Sequence, residues 1–361
     1  MQKKIYIFSP SLEKNKTGWS RFVLNIAEDL KDIFNIQVIT CKGEVVTNKD
    51  YHVIELPLKY RDNHFTLSII SILYVLFILF KMKKFSNIFF PNFYFYFIPL
   101  ILIKKIKQNN YYVRICGSEL DRSKHRKFNI RLLKKVNKII ILNNNLYTKL
   151  LKLGINNIRY IPNYIDVKLF KNNFKKDYTY KHSINLLFVG NIVKEKGIYE
   201  LIVAISELHH KHNIELDLIG DYTIQPKFLS RIKIKSSRNN LNINILGKLS
   251  KANLINSYPK YDLFVFPSYS EGMSNVVLEA MASGLPILAT NIPGINDNIS
   301  HGETGFLFNK NNFNKLSEYL NYLIINENLR KSLGRNSHKF TMNNRDKNSI
   351  IAKYISLFNE N

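Results

Sequence analysis

A strand-then-helix rhythm runs through the first half of this chain and restarts in the second, and it limits the fold more than any other feature. Lys4 to Phe8 is a short apolar run, Ser9 to Gly18 is polar, and Trp19 to Leu30 sets Phe22, Val23, Ile26 and Leu30 at helical spacing. Ile36 to Thr40, Tyr112 to Ile115 and Ile139 to Leu142 are further strand-like runs with helical patterns between them. Strands that return through helices pair in parallel, so residues 1–171 are expected to form a doubly wound α/β domain. Pro162-Asn163 breaks the pattern, and Asn172 to Ser183 is polar and aperiodic, as a linker is. The rhythm resumes at Leu186 to Val189 (strand), Gly197 to Leu208 (helix), and strands at Leu216 to Ile219, Ile243 to Leu246, Leu263 to Phe266 and Ile287 to Ala289. A second α/β domain over 184–340 follows. At the end of the chain Ile350, Ile351, Tyr354, Ile355 and Phe358 line one face of a helix over 346–361, which needs a surface to pack on.

With 361 residues, each of two domains is large enough to bury its own core. The formal charge of +26 is unevenly spread. Residues 1–180 hold 32 basic and 12 acidic side chains, and residues 181–361 hold 21 and 15, so an anionic partner would meet the first half. Cys41 and Cys116 are too few for a disulfide framework and lack the spacing of a thiolate zinc site, which suits a reducing cytoplasm. Ile5 to Phe8 is too short for the apolar region of a signal peptide. Two apolar runs, Ser68 to Phe80 and Phe89 to Ile103, fall short of the roughly 20 residues that span a bilayer. Buried helix, strand and loop are expected there. The basic charge does not come with a reader module or an aromatic-studded groove, so no nucleic-acid partner is expected.

Chemistry concentrates in Pro267 to Ala289, where a strand ends, a loop runs through Glu271-Gly272-Met273-Ser274-Asn275, and a helix begins with Val276, Val277 and Leu278. A loop entering a helix after a parallel strand is an anion site, since free N–H groups and the positive end of the helix dipole point into it. Glu271 lies in the loop and Glu279 about one turn inside the helix. Carboxylates there are poor phosphate ligands but accept paired hydrogen bonds from vicinal hydroxyls, which points to a nucleotide sugar. The spacing alone is equally satisfied by a solvated Glu271 and an ordinary first-turn helix acid at Glu279. A second stretch, Leu187 to Gly197, runs from strand through Gly190 to Lys196 at a helix start, where a lysine would add a phosphate contact. The P-loop, G-x-G-x-x-G, Asp-x-Asp, H-E-x-x-H and G-x-S-x-G patterns are absent, which argues against nicotinamide or flavin enzymes, metal-bridged diphosphate sites, zincins and α/β-hydrolases.

Glu271 to Glu279, followed by Ala280-Met281-Ala282-Ser283-Gly284-Leu285-Pro286, resembles the E-x7-E signature of the family 4 retaining glycosyltransferases, which have the GT-B fold. Lys16 to Arg21 is similar to that family's glycine loop, and Ile161 to Asp166 to its Pro-Asn element. Phe188-Val189-Gly190 through Lys196-Gly197 is similar to its phosphate loop, and Pro293-Gly294 with Gly302 to Leu307 to the end of its nucleotide domain. The resemblance covers nearly the whole chain. It implies two Rossmann-like domains facing a central cleft, with the final helix crossing back onto the first. It also implies metal-independent, retaining transfer from a UDP- or GDP-linked sugar, with no cofactor.

By the same resemblance, Glu279 would hold the donor ribose, Glu271 would contact the transferred sugar, and N–H groups of Gly272, Met273, Ser274, Asn275 and Val276 would cradle sugar and diphosphate. Lys196 would neutralise the leaving phosphate, with Glu271 and Lys196 the catalytic pair. Gly18 and Gly190 would let backbone approach the diphosphate. Asn191 stands where the family usually has Arg, and Cys116 where a His often precedes Gly117, so Gly117 and Glu119 mark the acceptor side. The acceptor implied is a lipid-linked glycan or oligosaccharide of bacterial surface polysaccharide or lipopolysaccharide synthesis. Lys124, Arg126, Lys127, Arg131, Lys134, Lys135 and Lys138 around Phe128, Leu132, Leu133 and Val136 read as a basic amphipathic helix that, with the apolar run Ser68 to Phe80, rests on an anionic membrane surface at the inner face of the cytoplasmic membrane, or else as a core helix with a solvated lysine face. The competing readings are a nucleotide-sugar epimerase or phosphorylase of the same fold, a nucleic-acid binder, and an inactive scaffold at the membrane.

Overall fold

The computed structural model describes residues 2–9, 12, 18–41, 51–57, 64–82, 86–91, 108–116, 126–170 and 183–360. The chain divides into two compact units, Met1–Pro162 with Ile351–Asn361, and Asn163–Ile350.

In the first unit the described strands are β1 (Lys4–Phe8), β2 (Asn35–Cys41), β3 (His52–Leu56), β4 (Asn87–Phe90), β5 (Asn110–Ile115), β6 (Lys138–Ile141) and β7 (Ile158–Tyr160). They form one sheet in the order β3-β2-β1-β4-β5-β6-β7, and every pairing is parallel. Among the described residues, helices α1 (Gly18–Leu30), α2 (His64–Lys81), α3 (Arg126–Leu133) and α4 (Asn144–Lys152) make crossovers. Alternate strand residues face opposite ways. Tyr6, Phe8, Ile88 and Phe90 share one core cluster with Ile70 and Tyr74 of α2, Leu132 and Leu133 of α3, and Leu146 and Leu150 of α4. On the opposite face Phe89 meets Phe22 of α1. An asparagine ladder ties the strand starts, with Asn137 donating to Asn110 at 3.0 Å and Asn110 to Asn87 at 3.1 Å.

The chain's last helix, α11 in the count given below, spans Lys347–Asn359, and its residues from Ile351 onward belong to the first unit. Tyr354 and Phe358 are buried against the Phe89 face of the sheet. The Phe358 ring stands edge-on to Tyr112 with centroids 4.9 Å apart, and its carbonyl accepts from Asn87 Nδ2 at 3.1 Å.

The second unit holds β8 (Ile184–Val189), β9 (Ile214–Ile219), β10 (Asn242–Gly247), β11 (Leu263–Phe266), β12 (Ile287–Thr290) and β13 (Phe306–Phe308), all parallel in the order β10-β9-β8-β11-β12-β13. Its helices are α5 (Ile198–Leu208), α6 (Pro226–Arg238), α7 (Lys251–Ser257), α8 (Asn275–Ala282), α9 (Phe313–Ile325) and α10 (Glu327–Asn344), which leaves α11 for the last. The strand order reverses between β8 and β11, and such a switch point opens a crevice at the carboxyl ends of the strands.

Two sequence expectations change, on the missed strands and on the basic helix, and the one on the first apolar run stands. The strands β3, β7 and β13 escape the reading because each is a short edge strand, and β4 because it is buried on both faces inside a long aromatic run, so neither alternation nor boundary marks it. The Ser68 to Phe80 run lies inside the 18-residue α2, about 27 Å long. Among the described residues no helix is long and apolar enough to cross a membrane. The basic helix expected from Lys124 to Lys138 is shorter, since α3 ends at Leu133. The Ile139–Ile141 run is β-branched and pairs with β5, which forces Lys134 to Asn137 into turns and Lys138 into β6.

Candidate functional site

The switch point of the second unit is built from backbone first. Lys194–Lys196 form a 3-10 turn after β8, and Gly197 closes it with φ +68°, so α5 begins at Ile198, two residues beyond Lys196. A Cβ at Gly197 would lie 2.1 Å from the carbonyl oxygen of Pro267, and one at Gly294 would lie 2.5 Å from that of Gly272. The loops after β8, β11 and β12 therefore touch main chain to main chain, as only glycine permits. Tyr269 N–H donates to Glu195 O at 3.0 Å and joins the first two.

This packing brings Lys196 onto Glu271, 75 residues away in sequence. Their side chains are ion-paired and both are mostly buried, at 23% and 14% exposure. Ser268 Oγ donates to the same Glu271 oxygen at 2.8 Å, and the Lys196 ammonium lies 5.6 Å from the Phe266 ring centroid. Beyond Glu271 and Gly272, Met273 is buried and its Sδ accepts the Asn163 N–H at 2.9 Å, while Asn163 Nδ2 donates to Asn275 Oδ1 at 2.8 Å. Ser274 sits at the N-cap of α8 without a side-chain capping hydrogen bond, and Asn275 and Val276 open the helix. The positive end of α8 thus stands beside a lysine.

Glu279 lies one turn into α8, half-buried. The wholly buried Tyr258 donates its hydroxyl to Glu279 Oε2 at 3.0 Å. Burial first, and the Glu279 charge second, push the phenol well above its usual range, so it stays protonated and remains a donor. Farther along the same strand ends, Asp221 links the loops after β9 and β10. Lys248 at 2.8 Å, then Thr223, lower its carboxyl to about 2.

Of the residues singled out in sequence, Lys196, Glu271, Gly272, Met273, Ser274, Asn275, Val276 and Glu279 converge on the strand ends of β8 and β11. Gly190 and an exposed Asn191 precede Lys196 in the same loop. Gly18 opens α1 after β1, in the first unit. Gly117 and Glu119 lie outside the described residues. Sequence reasoning passed over Tyr258, Ser268 and the contacts of Asn163 and Gly294. Only Asn163 and Gly294 carried a signal, as a break beside Pro162 and a turn beside Pro293. The arrangement offers one cation, a helix N-terminus and two carboxylates, a set suited to an anion carrying hydroxyl groups.

Residues 170–340 match the family model described as Glycosyl transferases group 1. The capsular polysaccharide biosynthesis glycosyltransferase CapM of Staphylococcus aureus is 33% identical over 173 residues, 48% of this chain and 45% of that one. The N,N'-diacetylbacillosaminyl-diphospho-undecaprenol alpha-1,3-N-acetylgalactosaminyltransferase of Campylobacter jejuni is 27% identical over 205 residues, 57% of this chain and 52% of its own. The chain thus spans about half the length of the curated relatives it matches. The structure of Anabaena HepE in complex with UDP and glucose is similar at a TM-score of 0.79 and 15% identity, covering 100% of both chains.

Proposed function

We propose that this protein, whose residues 170–340 match the group 1 glycosyltransferase model within a chain of GT-B fold, transfers a sugar from a nucleoside diphosphate sugar to a glycan acceptor. The observation that carries the reading is the meeting of Lys196 and Glu271 at the switch point, beside the uncapped start of α8. A donor diphosphate would lie over the first turn of α8, with N–H groups of Gly272 to Val276 around it and Lys196 against the leaving phosphate. Glu279, oriented by Tyr258, would accept from the ribose hydroxyls, and Glu271 would face the transferred sugar. Gly18, Gly190 and Asn191 would serve the donor diphosphate, and Gly117 and Glu119 would serve the acceptor side.

In the reaction the acceptor hydroxyl oxygen bonds to the anomeric carbon as the bond from that carbon to phosphate oxygen breaks. The proton passes to the departing phosphate oxygen on the same face, which retains configuration. Lys196 and the α8 dipole stabilise the charge that grows on the diphosphate, and the transfer is assigned as metal-independent. The donor is assigned as UDP- or GDP-linked, consistent with the UDP bound by the Anabaena structure. The capsular and diphospho-undecaprenol relatives support a surface-polysaccharide or lipopolysaccharide product and a lipid-linked or oligosaccharide acceptor. Such an acceptor puts the protein at the cytoplasmic face of a membrane, peripherally bound.

Thermal denaturation against UDP-, GDP-, CMP-, TDP- and NAD-type ligands tests the donor site, because a ligand bound only by the folded state adds about 2.7 kcal/mol at 100 times its Kd. A shift selective for UDP or GDP and one of its sugars is expected. No shift with any of them would overturn the reading and leave an inactive scaffold.

A further inference from the structure

The charges of the first unit are sorted by sheet face. Between residues 63 and 165 there are eighteen Lys and Arg against two acids, Glu119 and Asp121. Helices α2, α3 and α4, which share one face of the first sheet, contain no Asp or Glu. The acidic helix residues Glu28 and Asp29 belong to α1 on the opposite face, and Glu360, just past α11, is ion-paired to Arg159 and Lys138.

Apolar groups break the surface of α2 and α4 in rows. On α2, Ile72, Leu76 and Phe80 recur at i, i+4 and i+8 with exposures of 57%, 43% and 78%, while Ile70 and Tyr74 are buried in the core. On α4, Tyr147 and Leu151 repeat the spacing at 43% and 42%. Lys127, Arg131, Lys134 and Lys135 on and just after α3 are exposed in the same layer, and Lys81 ends α2 exposed. A protein partner would ordinarily be matched by charges of both signs. Among the described residues of these three helices the charges are all cationic, and apolar rows with cations in the same layer are complementary to an anionic interface with hydrocarbon just beneath it.

We propose that the α2–α3–α4 face of the first unit docks on an anionic lipid bilayer. Phe80, Leu76 and Ile72 enter the acyl boundary, and Lys127, Arg131, Lys134 and Lys135 lie against lipid phosphates. The proposal rests on the reading of a lipid-linked acceptor and names the surface by which that acceptor is reached. It keeps the apolar contact in the Ser68 to Phe80 run, now within α2, shortens the basic helix to α3 and adds α4.

Co-sedimentation of the full chain with vesicles of phosphatidylcholine alone, and of equimolar phosphatidylcholine and phosphatidylglycerol, tests it. Binding to the anionic vesicles alone is expected, weakened by salt. Both Phe80→Glu and the pair Arg131→Glu with Lys134→Glu should reduce the bound fraction by about tenfold or more. These side chains are exposed, and a nucleotide-induced thermal shift equal to the parent's confirms that each variant is folded. Equal binding to both vesicles, or none, overturns the proposal. So does binding that Phe80→Glu leaves intact, which would mean plain attraction to a polyanion, and so does a dimer in solution that Phe80→Glu dissociates, which would mean that a second copy covers the row. Docking without any nucleotide shift would keep this surface and overturn the transferase reading instead.

Discussion

Tyr258 and Glu279 show how much a single hydrogen bond is asked to do here. A carboxylate half-buried in a helix has several rotamers, and the phenol at 3.0 Å selects one. Tyr258→Phe is expected to raise the donor KM by roughly tenfold with kcat little changed, since a hydrogen bond to a charged group contributes about 1.5–3 kcal/mol. Glu279→Ala should weaken donor binding at least as much, measured by calorimetric titration. Lys196→Ala should instead lower kcat by about 100- to 1,000-fold, because its charge matters most when the phosphate departs. Steady-state kinetics with varied donor separates the cases, and unchanged constants in all three variants would remove the site assignment. The two glutamates and the lysine were legible because loop-to-helix motifs advertise themselves in sequence. Tyr258 was not, because the short 3-10 turn it opens with Pro259 marks a bend between helix and strand and carries no ligand motif. Its role exists only once β11 and α8 bring residues 21 positions apart together.

At the scale of elements, the loops of the second unit are held by main-chain contact, so their glycines matter more than their side chains. Gly197→Ala would set a methyl 2.1 Å from the Pro267 carbonyl oxygen at a left-handed φ. A cost of at least 1–3 kcal/mol is expected, seen as a melting point a few degrees lower and a weaker nucleotide shift. The Gly-to-helix spacing that revealed the loop could not show this, because the contact is with another loop. The strands divide along the same line. Those with β-branched runs bounded by turns, such as Ile139–Ile141 and Leu263–Phe266, were legible. Edge strands of three to five residues gave too little pattern, and Asn87–Phe90 was hidden among neighbouring aromatics. For α3 the sequence offered a helical pattern running into a strand, and pairing with β5 decided where the helix stopped.

For the whole molecule, buried tyrosines make alkaline pH the weak side. Burial lifts the Tyr354 phenol from 10.0 to about 12, and that of Tyr258 is raised as well. Below pH 10 both folded and unfolded chains keep these protons. Between pH 10 and 12 the unfolded chain releases them and the folded one does not, so stability falls by up to about 1.4 kcal/mol per pH unit for each tyrosine. Denaturant titrations across that range should show a midpoint that drops with pH, and Tyr354→Phe should flatten the drop. Phe358→Ala, which empties the wholly buried centre of the Phe34, Phe89 and Tyr112 cluster, should cost about 3–5 kcal/mol. The placement of those last residues also sets a schedule. The ribosome makes the first unit's sheet first, yet Tyr354 and Phe358 are joined only after the second unit, Asn163–Ile350. Until they emerge, α1 is the only described helix on the Phe89 face of that sheet, so the unit begun first is completed after the second.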